Sequence, residues 1–107
     1  MINQTKICGL IGLAMRAGKI SFGTDACLEQ IEKKKIKFLF LAMDASDRTK
    51  KVFREKCKEA QISIYEGFTI ENLSQAIGKQ NKAVIGIKDI NFAKEIQKII
   101  SGGEVIG

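Results

Sequence analysis

The sequence predicts an α/β protein, a three-layer α-β-α sandwich with a mixed sheet of about four strands. Segments with the 3.6-residue hydrophobic period of amphipathic helices alternate along the chain with short apolar runs. Two of these runs, 38–43 and 83–87, are continuously apolar, as is typical of strands covered by helices on both faces. The length of 107 residues and the 45% hydrophobic content fit one domain over 1–107.

The first third of the chain predicts a helix, a short strand and a second helix. Apolar residues recur at helical spacing near the N-terminus, which places the first helix over about residues 3–15. Gly18 closes this helix, and 19–22 is long enough only for a short edge strand. Thr24 is the expected N-cap of the second helix. The residues expected on the buried face of that helix are Cys27, Leu28 and Ile31.

The middle of the chain predicts a buried strand, a third helix and a second short strand. The apolar run 38–43 is the strand, and Ser46 or Asp47 caps the helix that follows. The alternating segment 62–65 is the short strand. The residues expected on the buried face of this helix are Val52, Phe53, Cys57 and Ala60. Its solvent face is basic and consists of Lys50, Lys51, Arg54 and Lys58.

The last third predicts a fourth helix, a buried strand and a fifth helix. Thr69 caps the fourth helix and Gly78 ends it. The strand is 83–87, and Asp89 opens the fifth helix. We expect residues 101–107 to fray, as chain ends without packed partners do. The residues expected to face inward from these two helices are Ile70, Leu73, Ile77, Phe92 or Ala93, Ile96, and Ile99 or Ile100.

The composition argues against catalysis and against a metal site. The absence of histidine removes the side chain best suited to acid–base chemistry and zinc binding. The three cysteines lie outside any C-x-x-C spacing, so we expect reduced, mostly buried thiols: Cys8, Cys27 and Cys57. The aspartates considered as cation ligands lie on separate elements without ligand spacing: Asp25, Asp44 and Asp47. We therefore predict no enzymatic activity, no cofactor, no metal and no small-molecule substrate.

The charge of the chain indicates a polyanionic partner. The net charge is +6, and it is concentrated in residues 1–58, which hold 13 Lys/Arg against 6 Asp/Glu. Such a basic excess in one half is typical of nucleic-acid binding. No apolar stretch approaches the roughly 18 residues of a membrane span. We expect a cytoplasmic protein with no membrane partner.

The most specific basic feature is the approach to the second helix. Arg16 and Lys19 precede the turn at Gly23 and Thr24. The exposed backbone N–H groups at a helix N-terminus favour phosphate, and nearby cations add to that preference. This combination of cations and a helix N-terminus indicates a phosphate-binding site more specifically than the net charge does.

Four stretches of the chain resemble one known family. They are AMRAGK at 14–19, GTD at 23–25, LAMDAS at 41–46 and LSQAIGK at 73–79. With these motifs in these positions, nearly all of residues 3–100 is similar to the ribosomal protein L7Ae/L30e family, and within it to the small bacterial YlxQ-type members.

This resemblance implies an RNA-binding protein associated with the ribosome. RNA-binding members of the family recognise kink-turns, which are sharply bent RNA helices with tandem sheared G·A pairs. A Gly-x-Asn-Glu-x-x-Lys-like stretch at the start of the second helix reads those pairs, and a loop after the fourth helix covers an extruded nucleotide. The implied partners are ribosomal or kink-turn-like RNA and, beyond it, ribosomal proteins. The implied site residues are Arg16, Lys19, Gly23, Thr24, Asp25, Ala26, Glu29, Lys33, Lys79, Gln80, Asn81 and Lys82.

Three positions depart from the family pattern. Asp25 replaces the asparagine, Ala26 the glutamate and Glu29 the lysine. Asp25 still accepts hydrogen bonds from a guanine edge, whereas Ala26 offers no polar contact. Glu29 places a negative charge where RNA would approach, and an i,i+4 pair with Lys33 would partly neutralise it. The alternative function is therefore a protein-interaction module that keeps the fold without specific RNA recognition.

Overall fold

Helices and strands alternate along the chain in the computed structural model, which describes residues 2–102. The helices are α1 (Gln4–Arg16), α2 (Thr24–Glu32), α3 (Asp47–Ala60), α4 (Ile70–Ile77) and α5 (Ile90–Ile100). The strands are β1 (Ile20–Phe22), β2 (Phe38–Leu41), β3 (Ile64–Tyr65) and β4 (Val84–Ile87). The predicted order of helices and strands is confirmed throughout.

The four strands form one mixed sheet in the order β1-β4-β2-β3. β4 pairs antiparallel with both β1 and β2, whereas β3 pairs parallel with β2. Every residue of the two central strands, β2 and β4, is buried. Burial on both faces explains why these strands lack the polar alternation of a half-exposed sheet.

Helices cover the sheet in two groups, which confirms the predicted sandwich. α2 packs against α3, and these helices contact β1, β4 and β2. α1 packs against α4 and α5, which contact β4. No helix in residues 2–102 has the length and apolar character needed to cross a bilayer.

Aromatic and aliphatic side chains pack tightly around the middle of the sheet. The ring of Phe40 lies 5.8 Å from that of Phe68 and 5.1 Å from that of Phe38, at tilted angles that favour aromatic contact. Gly86 in β4 leaves room for Ile36, whose Cδ1 would lie 2.5 Å from a Cβ added there. A side chain at this position would force the side chain of Ile36 to move.

Three of the predicted helix caps are confirmed. The hydroxyl of Ser46 accepts a hydrogen bond from the N–H of Thr49. Thr69 forms a reciprocal capping box with Asn72 at the start of α4. The carboxylate of Asp89 accepts hydrogen bonds from the first N–H groups of α5.

The predicted cap of the second helix is wrong. Thr24 is the first helical residue, and Gly23 is the N-cap with φ 89° and ψ 158°. The N–H of Gly23 donates to the carbonyl of Val84, so the residue also closes the β1–β4 pairing. Only glycine takes this backbone conformation readily, which lets the chain pass from strand to helix one residue earlier than predicted.

Some predicted boundaries also differ from the observed ones. β2 ends at Leu41, and Met43 lies 46% exposed because its N–H donates to the carbonyl of Phe68 instead of continuing the sheet. Ala60, expected on a buried face, is exposed at the end of α3. The residues expected on buried faces that are only half-buried are Leu28, Val52 and Ile70. Of the alternatives on α5, Ala93 and Ile99 are the buried ones, whereas Phe92 and Ile100 are half-buried.

The predicted frayed tail begins with ordered residues. The N–H groups of Ser101 and Gly102 donate to the carbonyls of Gln97 and Ile99, which continues the last turn of α5. The remainder of that prediction, 103–107, lies outside the described residues.

Candidate nucleic-acid interface

The turn before α2 and the loop after α4 lie side by side at one end of the sheet. Because β1 runs antiparallel to β4, the end of β1 lies beside the start of β4. Gly23 therefore contacts Val84, which is separated from the loop 79–82 only by Ala83. The structure thus brings together two segments more than fifty residues apart that the family resemblance assigned to one site.

Phe22 joins these two segments. The ammonium groups of Lys79 and Lys82 each lie 5.4 Å from the centroid of its ring. Cations are attracted to the face of an aromatic ring at this distance. The half-buried ring therefore holds two positive charges next to Gly23. Phe22 was not among the predicted site residues, although an aromatic residue at the end of an edge strand, directly before the glycine, was a usable signal.

A buried serine on α4 anchors the loop 79–82. The hydroxyl of Ser74, only 4% exposed, accepts a hydrogen bond of 2.8 Å from the N–H of Lys82. Gly78 and Asn81 adopt the left-handed conformation, with φ of 69° and 55°. These features fix the path of the loop and leave Gln80 and Asn81 exposed at its tip.

The N-terminus of α2 presents backbone donors to solvent. Among residues 2–102, no side chain caps this helix, because its N-cap is glycine. The first N–H groups of a helix have no intrahelical partner, and the helix dipole makes this end electropositive. The side chains of Thr24, Asp25 and Ala26 are exposed around it. This end can therefore receive a phosphate or another hydrogen-bond acceptor.

Met43 adds an exposed apolar side chain at the same end of the sheet. The N–H of the preceding residue, Ala42, donates to the carbonyl of Ala83, just after the loop 79–82. Met43 was predicted to lie inside a buried strand and was not among the predicted site residues. An exposed thioether offers an apolar surface for the face of a base.

Three of the predicted site residues lie at the opposite end of β1. Lys19 precedes β1, about 10 Å from the far end of this strand. Arg16 ends α1 at this same side of the strand, and Lys33 caps the C-terminus of α2, whose N-terminus lies at Gly23. The predicted strand over 19–22 already separates Lys19 from Gly23, because residues before and after a strand lie at its opposite ends, so charge alone had grouped them.

A shallow groove connects the two ends. It has a volume of about 280 Å³ and runs between β1 and α2. Its lining includes Phe22 at one end, Ala26 and Glu29 along α2, and Lys88 at the other end. The carboxylate of Glu29 lies 3.3 Å from the ammonium of Lys33, so the predicted i,i+4 pair is confirmed.

The basic face of α3 is partly neutralised. Arg54 donates two hydrogen bonds to the carboxylate of Glu66, at 2.6 and 2.9 Å. These bonds hold the pKa of Glu66 below its ordinary value. Lys56, on the same helix, lies 4.0 Å from Glu32. The α3 face therefore carries less free positive charge than its sequence implies.

The three cysteine thiols are protonated at neutral pH. Burial raises the pKa of the Cys27 thiol to about 11 and that of Cys57 to about 12, so little thiolate forms at neutral pH. Cys8 is half-buried, and burial also raises its pKa. Across the described residues 2–102, no three acidic or cysteine side chains form a cluster that could hold a metal ion.

Comparisons with known proteins agree with the architecture. The sequence pattern of the ribosomal protein L7Ae/L30e/S12e/Gadd45 family matches residues 5–97. RNA-binding protein YlxQ of Enterococcus faecium is 41% identical over 100 residues, which cover 94% of this chain and 96% of that protein. RNA-binding protein YlxQ of Bacillus subtilis (strain 168) is 30% identical over 91 residues, with 85% and 91% covered.

Solved structures share the fold. A Bacillus halodurans protein of unknown function superposes with a TM-score of 0.85 and 31% identity, covering 90% of this chain and 97% of that one. The Giardia lamblia 15.5kD RNA binding protein superposes with a TM-score of 0.76 at 19% identity, covering 92% and 88%. With the family pattern matched over most of its length, this chain is a non-enzymatic member of the ribosomal protein L7Ae/L30e/S12e/Gadd45 family.

Proposed function

We propose that this protein binds structured RNA through the β1–α2 turn and the loop 79–82. One observation carries the proposal: two lysine ammonium groups and the electropositive end of α2 surround the half-buried ring of Phe22. Cations and N–H donors bind phosphate, and an aromatic face stacks on bases. The names of both YlxQ relatives, each called an RNA-binding protein, support the same conclusion.

Each part of the site has a distinct task in this mechanism. Lys79, Lys82 and the first N–H groups of α2 contact phosphates and set the position of the RNA. Phe22 and Met43 offer apolar faces to unstacked bases. The carboxylate of Asp25 accepts hydrogen bonds from base amino groups.

The RNA class we propose is a bent helix of the kink-turn type, of ribosomal origin. A regular A-form helix hides its base edges in a narrow major groove, whereas a sharp bend exposes them. Gly23 and Thr24 keep the family pattern at the turn that would read such a bend. A ribosome-associated role in the cytoplasm, with ribosomal proteins nearby, fits the family and the reduced cysteines.

A protein-interaction module is the second candidate function. Ala26 has no polar group for an RNA contact, and Glu29 places a carboxylate in the groove beside the site. Both changes weaken base recognition, and they leave the fold intact. A module of this kind would bind no RNA in solution.

The proposal is tested with the double variant Lys79→Gln and Lys82→Gln. The control is Lys94→Gln with Lys98→Gln, which removes the same charge from exposed positions on α5. If the first pair contacts two phosphates, the plot of log binding constant against log salt becomes shallower by about 1.4–1.8. The control keeps the wild-type slope. Equal slopes in all three proteins would contradict the proposed site.

A further inference from the structure

Lysines occupy three adjacent strand ends on the side of the sheet away from the proposed site. Lys19 precedes β1, Lys88 follows β4, and Lys37 precedes β2, in the order in which these strands pair. The N–H of Lys88 donates to the carbonyl of Lys19, and the N–H of Lys37 donates to that of Ile87. Neighbouring strands lie about 4.8 Å apart, so the sheet itself holds three cations close together.

Two more lysines join them from the end of α2. The N–H of Lys35 donates to the carbonyl of Gln30, and that of Lys34 to Ile31, which closes the helix in a Schellman motif. Lys34 occupies the left-handed position of this motif, with φ 60°. Glycine or asparagine is usual there, because a larger side chain is strained. The chain therefore keeps a cation where backbone geometry favours glycine.

These residues line one groove that lacks acidic side chains. Its volume is about 380 Å³, and its lining consists of Gly18 and the five lysines Lys19, Lys34, Lys35, Lys37 and Lys88. Within residues 2–102, none of the five forms an ion pair with a carboxylate. This distinguishes them from the α3 face, where Arg54 is paired with Glu66. Unpaired cations held close together repel one another unless an anion binds between them.

We propose that these five lysines form a second phosphate-binding surface, which contacts the backbone of the same RNA outside the segment held by the loop 79–82. The inference rests on the proposed function and extends it. The groove along β1 and α2 joins the two surfaces, which lie about 10 Å apart.

The test replaces three of these lysines together: Lys19→Gln, Lys35→Gln and Lys88→Gln. The matched control removes three exposed charges elsewhere: Lys58→Gln, Lys94→Gln and Lys98→Gln. The ligand is a kink-turn RNA with a helix extending from each side of the bend. We expect the test variant to make the salt slope shallower by about 2–3, because roughly three phosphate contacts disappear. The control keeps the wild-type slope.

A single variant separates lost binding from lost folding. Lys34→Gly removes a cation and also relieves the left-handed position. We expect its melting temperature to be no lower than that of the wild type, with a salt slope shallower by about 0.7–0.9. If both Lys34→Gly and the triple variant keep the wild-type salt slope, the inference is wrong. That result would instead favour an acidic protein as the partner of these lysines.

The two proposals fail in different ways. If the wild-type protein binds no RNA, both are wrong. If the wild type binds RNA, and binding weakens in the double variant of Lys79 and Lys82 but not in the triple variant, only the proposed second surface is wrong. A control that weakens binding as much as the triple variant would also contradict a localised surface.

Discussion

Phe22 is the residue on which the proposed interface depends. Its ring brings Lys79 and Lys82 to the same point at the end of β1 and offers an aromatic face beside them. A leucine at this position would fill similar space without attracting cations or stacking on a base.

The variant Phe22→Leu should therefore weaken RNA binding about 5- to 10-fold, because stacking on one base contributes roughly 1–3 kcal/mol and leucine keeps part of the apolar contact. The free energy of unfolding should change by less than about 1.5 kcal/mol. Phe92→Leu, at a half-buried position on α5, is the control. Titration of labelled RNA measures the first effect and thermal unfolding the second. An unchanged dissociation constant for Phe22→Leu would exclude the ring from the interface.

Glu29 is the residue that distinguishes the two candidate functions. Its carboxylate lines the groove between the two ends of β1 and is paired with Lys33 only on the surface, where both side chains are more than half exposed. Such a pair contributes little to stability. The residue can therefore be changed without loss of the fold.

We expect Glu29→Lys to raise RNA affinity and to steepen the salt slope by about 0.7–0.9, as one more phosphate contact requires. Glu95→Lys makes the same charge change on an exposed position of α5 and should have little effect. Fluorescence anisotropy at several salt concentrations measures both. Equal gains in the two variants would indicate a general charge effect, and no gain would favour the protein-interaction module.

At the scale of elements, α4 supports the loop at its end. Ser74, buried on this helix, accepts the N–H of Lys82, and Gly78 turns the chain into the loop. The capping box of Thr69 stabilises the other end of the same helix. Substitutions at the two ends of α4 should therefore lower the free energy of unfolding by similar amounts and differ in their effect on RNA binding.

Ser74→Ala and Thr69→Ala test this difference. Each should lower the free energy of unfolding by about 1 kcal/mol, the first by removing a buried hydrogen bond and the second by removing a cap. Only Ser74→Ala should weaken RNA binding, since it releases Lys82. Chemical denaturation and an RNA titration of both variants provide the comparison. A loss of affinity in Thr69→Ala of the same size would mean that stability alone controls binding.

Most of the helices and strands could be predicted from local sequence patterns. Hydrophobic periodicity, with Ser46, Thr69 and Asp89 as caps, was sufficient to place all five helices, because caps satisfy nearby backbone groups. The start of α2 was predicted one residue too late. Gly23 is held in place as the N-cap by the hydrogen bond from its N–H to the carbonyl of Val84, a contact that exists only in the folded sheet.

At the scale of the whole molecule, the sheet decides which basic residues act together. The order β1-β4-β2-β3 places the loop 79–82 beside Gly23 and gathers Lys19 and Lys88 at the other end. Lys19 was predicted on the same face as Gly23 because of its charge, although the strand between the two residues places them at opposite ends of β1. The divided arrangement offers two contact surfaces to one RNA.

The most direct test of the central claim is a binding titration with two RNAs. One is a kink-turn, and the other is the same RNA with its G·A pairs changed to Watson–Crick pairs, each measured at two salt concentrations. The account predicts tighter binding to the kink-turn at both concentrations, with affinity for both RNAs falling steeply as salt rises. Equal binding to the two RNAs would contradict kink-turn recognition, and no binding to either would contradict RNA binding altogether.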